Sequence, residues 1–577
     1  MSVSYPDDAP SHLDALGPFN DAYSDVYSFP DVQLSMFTDQ WYLDTSNDPA
    51  VFQEASMGLQ QLGFPQMALP RDSPLATMTE TPSEGLSLSS PDDGLFPHKD
   101  MGQDDRVEAG HDDALPAADV ERHRSNTPTE VTLTRPAQLV NLPTALCEHF
   151  FKEVITLYCA WDGRSNHMRV LTETMWQSSG ALYHTMQSMA AACLAADFPD
   201  LKAVASKERY QALQCLQQQS LAPKTLDTIM ASILLGHTES WINPNNLATD
   251  NYNATVAILD AWADAEGDHL QLRFFDQALD YWAMLLGFLT DSKLNRSSLR
   301  ATATHAGPAD PNEQVMPHPF SGISREIVQV LTDVGLLVSR YQKRISNVKF
   351  LKERDLDFFR DSIRKARAIE RRLLLHESPA PIEILDPRDP KTPIAHLILV
   401  NEAYRCMALL QIYRVFPDLL DERYRPWASD ELLRPRPAAT QDTPPTCEQR
   451  DSWLTSLAIH TVGILRQIPF ESSTRCLQPL ILVAVSSELR HGSGDIGSWT
   501  VSTATGSCDS AQASIEVAQA RSFLRSRLSA YKYVLPLKKI SMISELVENI
   551  FRALDCGEKN VYWLNVCRRM RMETLMG

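Results

Sequence analysis

The 577-residue chain is long enough to bury a sizeable core, because 44% of its residues are hydrophobic. Proline outnumbers glycine (36 against 22), which fits helices joined by proline-containing connections better than glycine-turned sheets. The net charge of −20 lies almost wholly in residues 1–120, which hold 22 acidic and 3 basic residues. The remainder is near neutral, so the overall balance argues against a protein that binds nucleic acid through a large basic surface.

The ten cysteines contain no C-x2-C pair, and the first of them is Cys147. The start of the chain lacks the basic and apolar regions of a signal peptide, and no apolar run is long enough to cross a membrane. We therefore expect an intracellular protein with reduced thiols and no membrane segment.

Residues 1–135 are predicted to form a disordered acidic tail, since Pro, Ser, Asp and Gly recur there without a helical or strand period. Aromatic and aliphatic residues alternate with the acids, most densely in Ser35–Asp44, as is typical of activation segments. The alternative interpretation is an inert solvated tail. The candidate activation residues are Phe37, Asp39, Trp41, Tyr42, Leu43 and Asp44.

Residues 142–577 are predicted to form a large, irregular all-α body. Ile327, Leu331, Val334, Val338 and Tyr341 mark one apolar face of a helix, and similar spacing recurs around 226–234 and 543–554. Further helices are expected near 142–160, 168–195, 202–219, 250–262, 270–290, 356–376, 393–415, 451–467, 475–489, 511–534 and 558–572. Loops are expected near 295–320, 377–393, 427–449 and 490–510.

Three kinds of motif that form cofactor or metal sites in other proteins are not expected to do so in this chain. Gly492–Gly497 spells G-x-G-x-x-G but lacks the strand and helix of a dinucleotide site. Asp104–Glu108 has the DDxxE form of a Mg²⁺ motif but lies in the tail. His184, His237 and His460 lie on apolar helical patterns without a second ligand at i+3 or i+4, so they are predicted to be core histidines. We expect no catalytic, cofactor-binding or metal-ligating residues.

Several stretches resemble the second type of fungal-specific transcription factor domain, the helical regulatory region that usually accompanies a binuclear zinc cluster. The resemblance covers roughly residues 142–577. The stretches that carry it are Ala181–Pro199, Pro317–Arg344, Ala403–Leu420, Leu457–Leu489 and Val561–Gly577. In plain structural terms, Pro317, Pro319 and Gly322 shape a turn into a helix capped by Ser321 or Ser324, and Ser472 or Ser473 caps another.

The zinc cluster of such regulators needs six closely spaced cysteines, and residues 1–146 contain none. We therefore expect no bound zinc and no direct sequence-specific DNA contact. Three explanations stay open: a co-regulator that uses a DNA-bound partner, a truncated gene model, or a family member that has lost direct DNA reading.

The first explanation gives the functional prediction: a nuclear transcriptional regulator and not an enzyme, acting as a co-activator through a DNA-binding partner. The tail would contact the transcription machinery, and the body could form a homo- or heterodimer. The resemblance suggests a metabolic or secondary-metabolite gene set. The alternatives are a helical small-molecule receptor or enzyme with an internal pocket, a scaffold without transcriptional effect, and a repressor in place of an activator.

Overall fold

Helices dominate the computed structural model, which describes residues 141–218, 225–265, 269–290, 292–295, 314–428, 444–491 and 507–577. Within these ranges there is no named strand, and only two isolated β-bridges occur. The predicted all-α fold of the body is therefore confirmed. The tail lies outside the described residues, as do Asp104–Glu108 and Gly492–Gly497.

The first group of helices precedes the proline-bounded turn at Pro317–Gly322. The helices of this group are α1 (Leu142–His149), α2 (Ile155–Tyr158), α3 (His167–Met175), α4 (Gly180–Leu194), α5 (Leu201–Gln218), α6 (Leu226–Ile242), α7 (Thr249–Ala265) and α8 (His269–Gly287). A π-helical turn at Phe150–Val154 joins α1 to α2. Helix α4 packs against both α5 and α6. Helices α6, α7 and α8 all contact one another.

The second group builds the rest of the body. Its helices are α9 (Arg325–Asn347), α10 (Glu353–Leu375), α11 (Ile394–Val415), α12 (Pro417–Arg423), α13 (Cys447–Arg466), α14 (Pro479–Ser486), α15 (Ser507–Tyr531), α16 (Leu537–Asp555) and α17 (Trp563–Met570). Short 3-10 turns occur at Pro381–Glu383 and Ser473–Leu477. Helix α9 contacts α8, α10 and α11, and so links the two groups.

Helix α14 lies at the centre of the second group. All eight of its residues are buried, because its sequence, PLILVAVS, has no charged side chain to solvate. Helices α11, α13, α15, α16 and α17 all contact it. Gln411 on α11 donates to the carbonyl of Ala484 at 3.1 Å, so a polar side chain within this core is paired.

The helix boundaries correct several predictions. The single helix predicted over 168–195 is two, because Ser179 adopts an extended conformation and caps α4 by accepting from the amide of Leu182. The helix predicted over 475–489 is a 3-10 turn followed by α14, with Pro479 at the first position of α14.

The loops predicted over 427–449 and 490–510 each end early. Helix α13 begins at Cys447, because Thr446 and Gln449 form a capping box whose two hydrogen bonds are 3.2 and 2.8 Å long. Helix α15 begins at Ser507. The helix predicted over 558–572 is also shorter, since α17 spans Trp563–Met570.

The turn before α9 forms as predicted. His318 and Gly322 exchange backbone hydrogen bonds of 2.7 and 2.9 Å, and Gly322 has a φ of +79°, a conformation that suits glycine. Ser324 caps α9 by accepting from the amide of Ile327, which decides between the two predicted cap residues. Similarly, Ser472 caps the 3-10 turn that follows it.

The predicted loops near 295–320 and 377–393 meet through the backbone. Val315 donates to Glu383 at 2.6 Å and accepts from Leu385 at 2.9 Å, which forms a parallel bridge with Ile384. Residues 296–313 lie outside the described chain. The described parts of these loops therefore fix one another beside the start of α9.

Helices α8 and α9 cross at two glycines. A Cβ atom on Gly335 would lie 2.8 Å from the carbonyl carbon of Gly287, so the close approach of the two helices requires glycine at this point. Near the start of α9, Arg325 donates to Asp280 at 2.6 Å and also pairs with Asp276. These contacts hold the first turns of α9 against α8.

Candidate functional site

An internal cavity lies where α2, α6, α8 and α16 meet. Its volume is about 540 Å³ when the space open to solvent is included, and the free space between its walls suits one or a few water molecules. Aromatic and aliphatic side chains form most of its lining. The lining residues are Leu157, Tyr158, His237, Trp241, Tyr281, Leu285, Phe320, Cys476, Pro479, Leu535, Pro536, Lys539, Leu575 and Gly577.

His237 is a deeply buried titratable group of the cavity. Its Nδ1 forms a short hydrogen bond with the hydroxyl of Tyr158, whereas its Nε2 has no hydrogen-bond partner among the described residues. Burial lowers the pKa of His237 to about 3, and the nearby charge of Lys539 acts in the same direction. The imidazole is therefore neutral at physiological pH.

The surroundings of His237 are tightly packed. Its ring meets the indole of Trp282 edge to face, with centroids 4.9 Å apart. The preceding residue, Gly236, allows this packing, because a Cβ atom there would lie within 2 Å of the Trp282 ring. The sequence of α6 thus positions the histidine by leaving the adjacent position without a side chain.

Lys539 reaches the same cavity from the first turn of α16. Its ammonium group donates to a backbone oxygen of Gly577, and burial lowers its pKa to about 8. Lys539 was not predicted as a site residue, because Lys538-Lys539 resembles a surface pair. One sequence signal could have identified it: Lys539 lies on the same face as Ile543, Leu546 and Ile550, the apolar stripe of α16.

The remaining titratable side chains of the cavity are uncharged near neutral pH. Burial raises the pKa of the Cys476 thiol to about 12, so this sulfur is not a thiolate near neutral pH. Burial likewise raises the pKa values of Tyr158 and Tyr281 well above the usual range. None of the described residues that line the cavity is Asp or Glu. Such a lining can hold water or a small organic molecule, but it does not provide the paired carboxylates of acid–base catalysis.

The other predicted core histidines lie in different surroundings. The His184 Nδ1 pairs with the carboxylate of Glu208 at 2.7 Å and keeps 27% of its side-chain surface exposed. His460 is half-buried, with its ring 6.0 Å from that of Trp427. The core prediction is therefore confirmed for His237 and is only partly correct for the other two.

The predicted activation residues cannot be placed against the cavity. Phe37, Asp39, Trp41, Tyr42, Leu43 and Asp44 all lie outside the described residues. Across the described ranges, no group of three or more His, Cys, Asp or Glu side chains is arranged to hold a metal ion. Within the same ranges, no helix has the length and apolar character of a membrane span.

Comparison with known proteins gives one result that covers most of the body. The family model described as fungal specific transcription factor domain matches residues 145–577. No curated protein matches the chain. No solved structure matches it either.

Proposed function

The chain belongs to the fungal-specific transcription factor domain family, and we propose that it acts in the nucleus as a co-activator that reaches its genes through a DNA-bound partner. Membership in this family makes the protein a transcription regulator. The co-activator role, the partner and a metabolic or secondary-metabolite gene set make up the proposal. In this scheme the tail contacts the transcription machinery, and the helical body binds the partner, which is either a second copy of the chain or a different regulator.

The distribution of charge along the chain is the observation that supports this role best. Residues 1–70 contain ten acidic residues and no lysine or arginine, and aromatic side chains alternate with the acids. Acids keep such aromatics solvated and available to a partner groove, as is typical of activation segments. The body, by contrast, is near neutral as a whole, so it lacks the overall charge that favours phosphate binding.

A reporter assay tests the activation step. The full chain and residues 136–577 are each fused to an unrelated DNA-binding module in a fungal host. We expect measurable reporter output from the full chain and a loss of at least about tenfold without the tail. Replacing Phe37, Trp41 and Tyr42 together with alanine should cause most of that loss, because these side chains would enter the partner groove.

A matched triple variant controls for the loss of aromatic residues in general. Tyr5, Phe64 and Phe96 lie in the same tail but outside Ser35–Asp44. Their replacement with alanine should leave the reporter output within about twofold of the parent. Equal output from both triple variants would overturn the activator role.

A small-molecule receptor is the second candidate function, and the cavity around His237 favours it. A mostly apolar lining with a buried, unpaired imidazole nitrogen is a typical ligand environment. Replacing the buried Leu285 with alanine would enlarge this cavity. If the cavity binds a small aromatic molecule, phenol should raise the thermal unfolding temperature of Leu285→Ala more than that of the unmodified chain. An equal effect of phenol on both proteins would contradict the receptor.

A further inference from the structure

The connection between α9 and α10 presents an apolar tip to solvent. Four large apolar side chains within twelve residues are exposed there, by 48% for Ile345, 84% for Phe350, 59% for Leu351 and 40% for Leu356. Scattered exposed apolar residues are ordinary, but a cluster of this kind marks an interaction surface. We name these residues, together with Lys349 and Lys352, the hairpin tip.

Specific contacts join the two helices on either side of the hairpin tip. Asp355 accepts from the backbone amide of Lys352 at 3.0 Å and also pairs with Arg344, which joins the two helices across the turn. Just below, the rings of Tyr341 and Phe359 meet edge to face at 5.5 Å. A surface that is already ordered loses less entropy when it binds a partner.

The hairpin is also the most basic part of the body. Residues 340–372 contain 12 basic and 5 acidic residues, a net charge of +7, whereas residues 121–577 as a whole carry −1. Arg360, Arg364, Arg367 and Arg371 follow the spacing of one helix face, and all four are exposed. At the tip, Lys349 and Lys352 form no ion pair with another described residue.

The chain itself supplies a segment with the complementary chemistry. Ser35–Asp44 combines Phe37, Trp41 and Tyr42 with aspartates, in a stretch of 70 residues that has no lysine or arginine. Ninety-six residues separate Asp44 from Asn141, where the described body begins. A chain of that length can span roughly 300 Å when extended, so the segment can reach any part of the body.

We propose that the hairpin tip binds Ser35–Asp44 of the same chain and thereby withholds this segment from the transcription machinery. The aromatic side chains cover Phe350 and Leu351, and the aspartates lie near the lysines and the arginine face of α10. The regulatory consequence rests on the proposed activation function, but the docking contact does not. Duplex DNA would also be attracted by the arginine face, but its phosphates offer nothing to the apolar side chains of the tip.

Photo-crosslinking in the full chain tests the contact. Trp41 is replaced with p-benzoylphenylalanine, the protein is irradiated, and the joined peptides are identified by mass spectrometry. We expect the main product to join position 41 to residues 343–356. Its yield should fall when NaCl is raised from 50 to 500 mM, because exposed ionic attraction is screened.

A tip variant and a matched control make this test specific. The tip variant combines Lys349→Glu, Phe350→Ser, Leu351→Ser and Lys352→Glu, and the expected loss of crosslinking is at least fivefold. The control combines Ile382→Ser with Lys391→Glu, which alters an apolar side chain that is 82% exposed and an exposed lysine nine residues later in the chain. Its yield should match the parent, and both variants should keep the parent unfolding temperature.

Several results would overturn the docking proposal. These are a main crosslink elsewhere in the body, an unchanged yield in the tip variant, and products that join isotopically heavy and light chains in a mixture. The last result would place the contact between copies. Nucleic acid is the occupant instead if the tip variant loses binding to a fluorescent 20-base-pair duplex while its crosslinking yield is unchanged.

The reporter assay separates this proposal from the proposed function. If both are correct, the tip variant raises reporter output severalfold over the parent, and the control variant does not. If the tail does not activate transcription, all reporters stay silent while the crosslink to residues 343–356 persists. That result would refute the activator role and still support the docking contact.

Discussion

The two ends of α9 lie in opposite environments. At its start, Arg325 is largely buried and pairs with Asp276 and Asp280 of α8. At its end, Ile345 is about half exposed, and the chain continues into the still more exposed Phe350. One helix thus buries charge at one end and exposes apolar surface at the other, which reverses the usual distribution at both ends.

The difference separates residues that hold the fold from residues that are free to bind. A buried charge is tolerated only when it is paired. Removing one partner of the ion pairs at the start of α9 should therefore destabilise the body strongly. An exposed apolar side chain contributes little to folding, so a cluster of such side chains calls for a different explanation. The predictions below test this division, beginning with the largest expected effect.

The Arg325 contact should produce the largest change in stability. Replacing Arg325 with alanine removes its guanidinium from beside two carboxylates that are only 5% and 11% exposed. We expect the free energy of unfolding in urea to fall by about 3–5 kcal/mol. Arg364→Ala on the exposed face of α10 is the control and should change it by less than about 0.5 kcal/mol. Similar losses in the two variants would abolish the proposed contrast.

The glycine beside His237 tests how tightly the interior is packed. Gly236→Ala places a methyl group within 2 Å of the fully buried Trp282 ring, so the indole must move. We expect a loss of about 1–3 kcal/mol in the free energy of unfolding. Gly463→Ala is the matched control in α13, where an added Cβ meets nothing within 4 Å. It should stabilise the protein by about 0.5–1 kcal/mol, since alanine favours the helix. Two changes of the same sign would contradict this account.

The buried histidine makes the interior sensitive to acid. In the folded state the pKa of His237 is about 3, against an ordinary value of 6.5, so between these values the unfolded chain binds more protons. Stability contributed by the neutral ring is therefore lost as the pH falls below 6.5. At pH 5 the loss should be about 2 kcal/mol. Between pH 7 and pH 5 the free energy of unfolding in urea should fall by about 2 kcal/mol less for His237→Gln than for the unmodified chain. If the variant and the unmodified chain had the same pH dependence, His237 would have the same pKa in the folded and unfolded states, which would contradict this account.

The helical body was predictable because its apolar residues repeat with the period of a helix. Ile327, Leu331, Val334 and Val338 are all buried on one face of α9, as their spacing indicates. The break between α3 and α4 has a sequence signal, the polar stretch Gln177–Gly180, whose Ser179 caps the new helix. The prediction of one helix overlooked it because apolar residues are frequent on both sides.

The cavity and the hairpin tip were less accessible to sequence reasoning. Tyr158, His237 and Lys539 come from three separate helices, and no local spacing predicts that they converge. The exposure of Phe350 depends on where α9 ends and α10 begins, since the same FLK sequence could equally pack inward. Both sites therefore depend on tertiary packing, which the periodicity of apolar residues in a single sequence does not reveal.

The hairpin tip should produce the smallest change in stability, and this small effect matters most for function. Phe350 is 84% exposed and Leu351 59%, so folding removes little of their surface from water. We expect Phe350→Ser with Leu351→Ser to change the free energy of unfolding by less than about 0.5 kcal/mol in urea. A loss above about 2 kcal/mol would show that these side chains pack within the fold, and the tip would then not be a free docking surface. An unchanged stability together with a lost crosslink from position 41 would assign their apolar surface to binding.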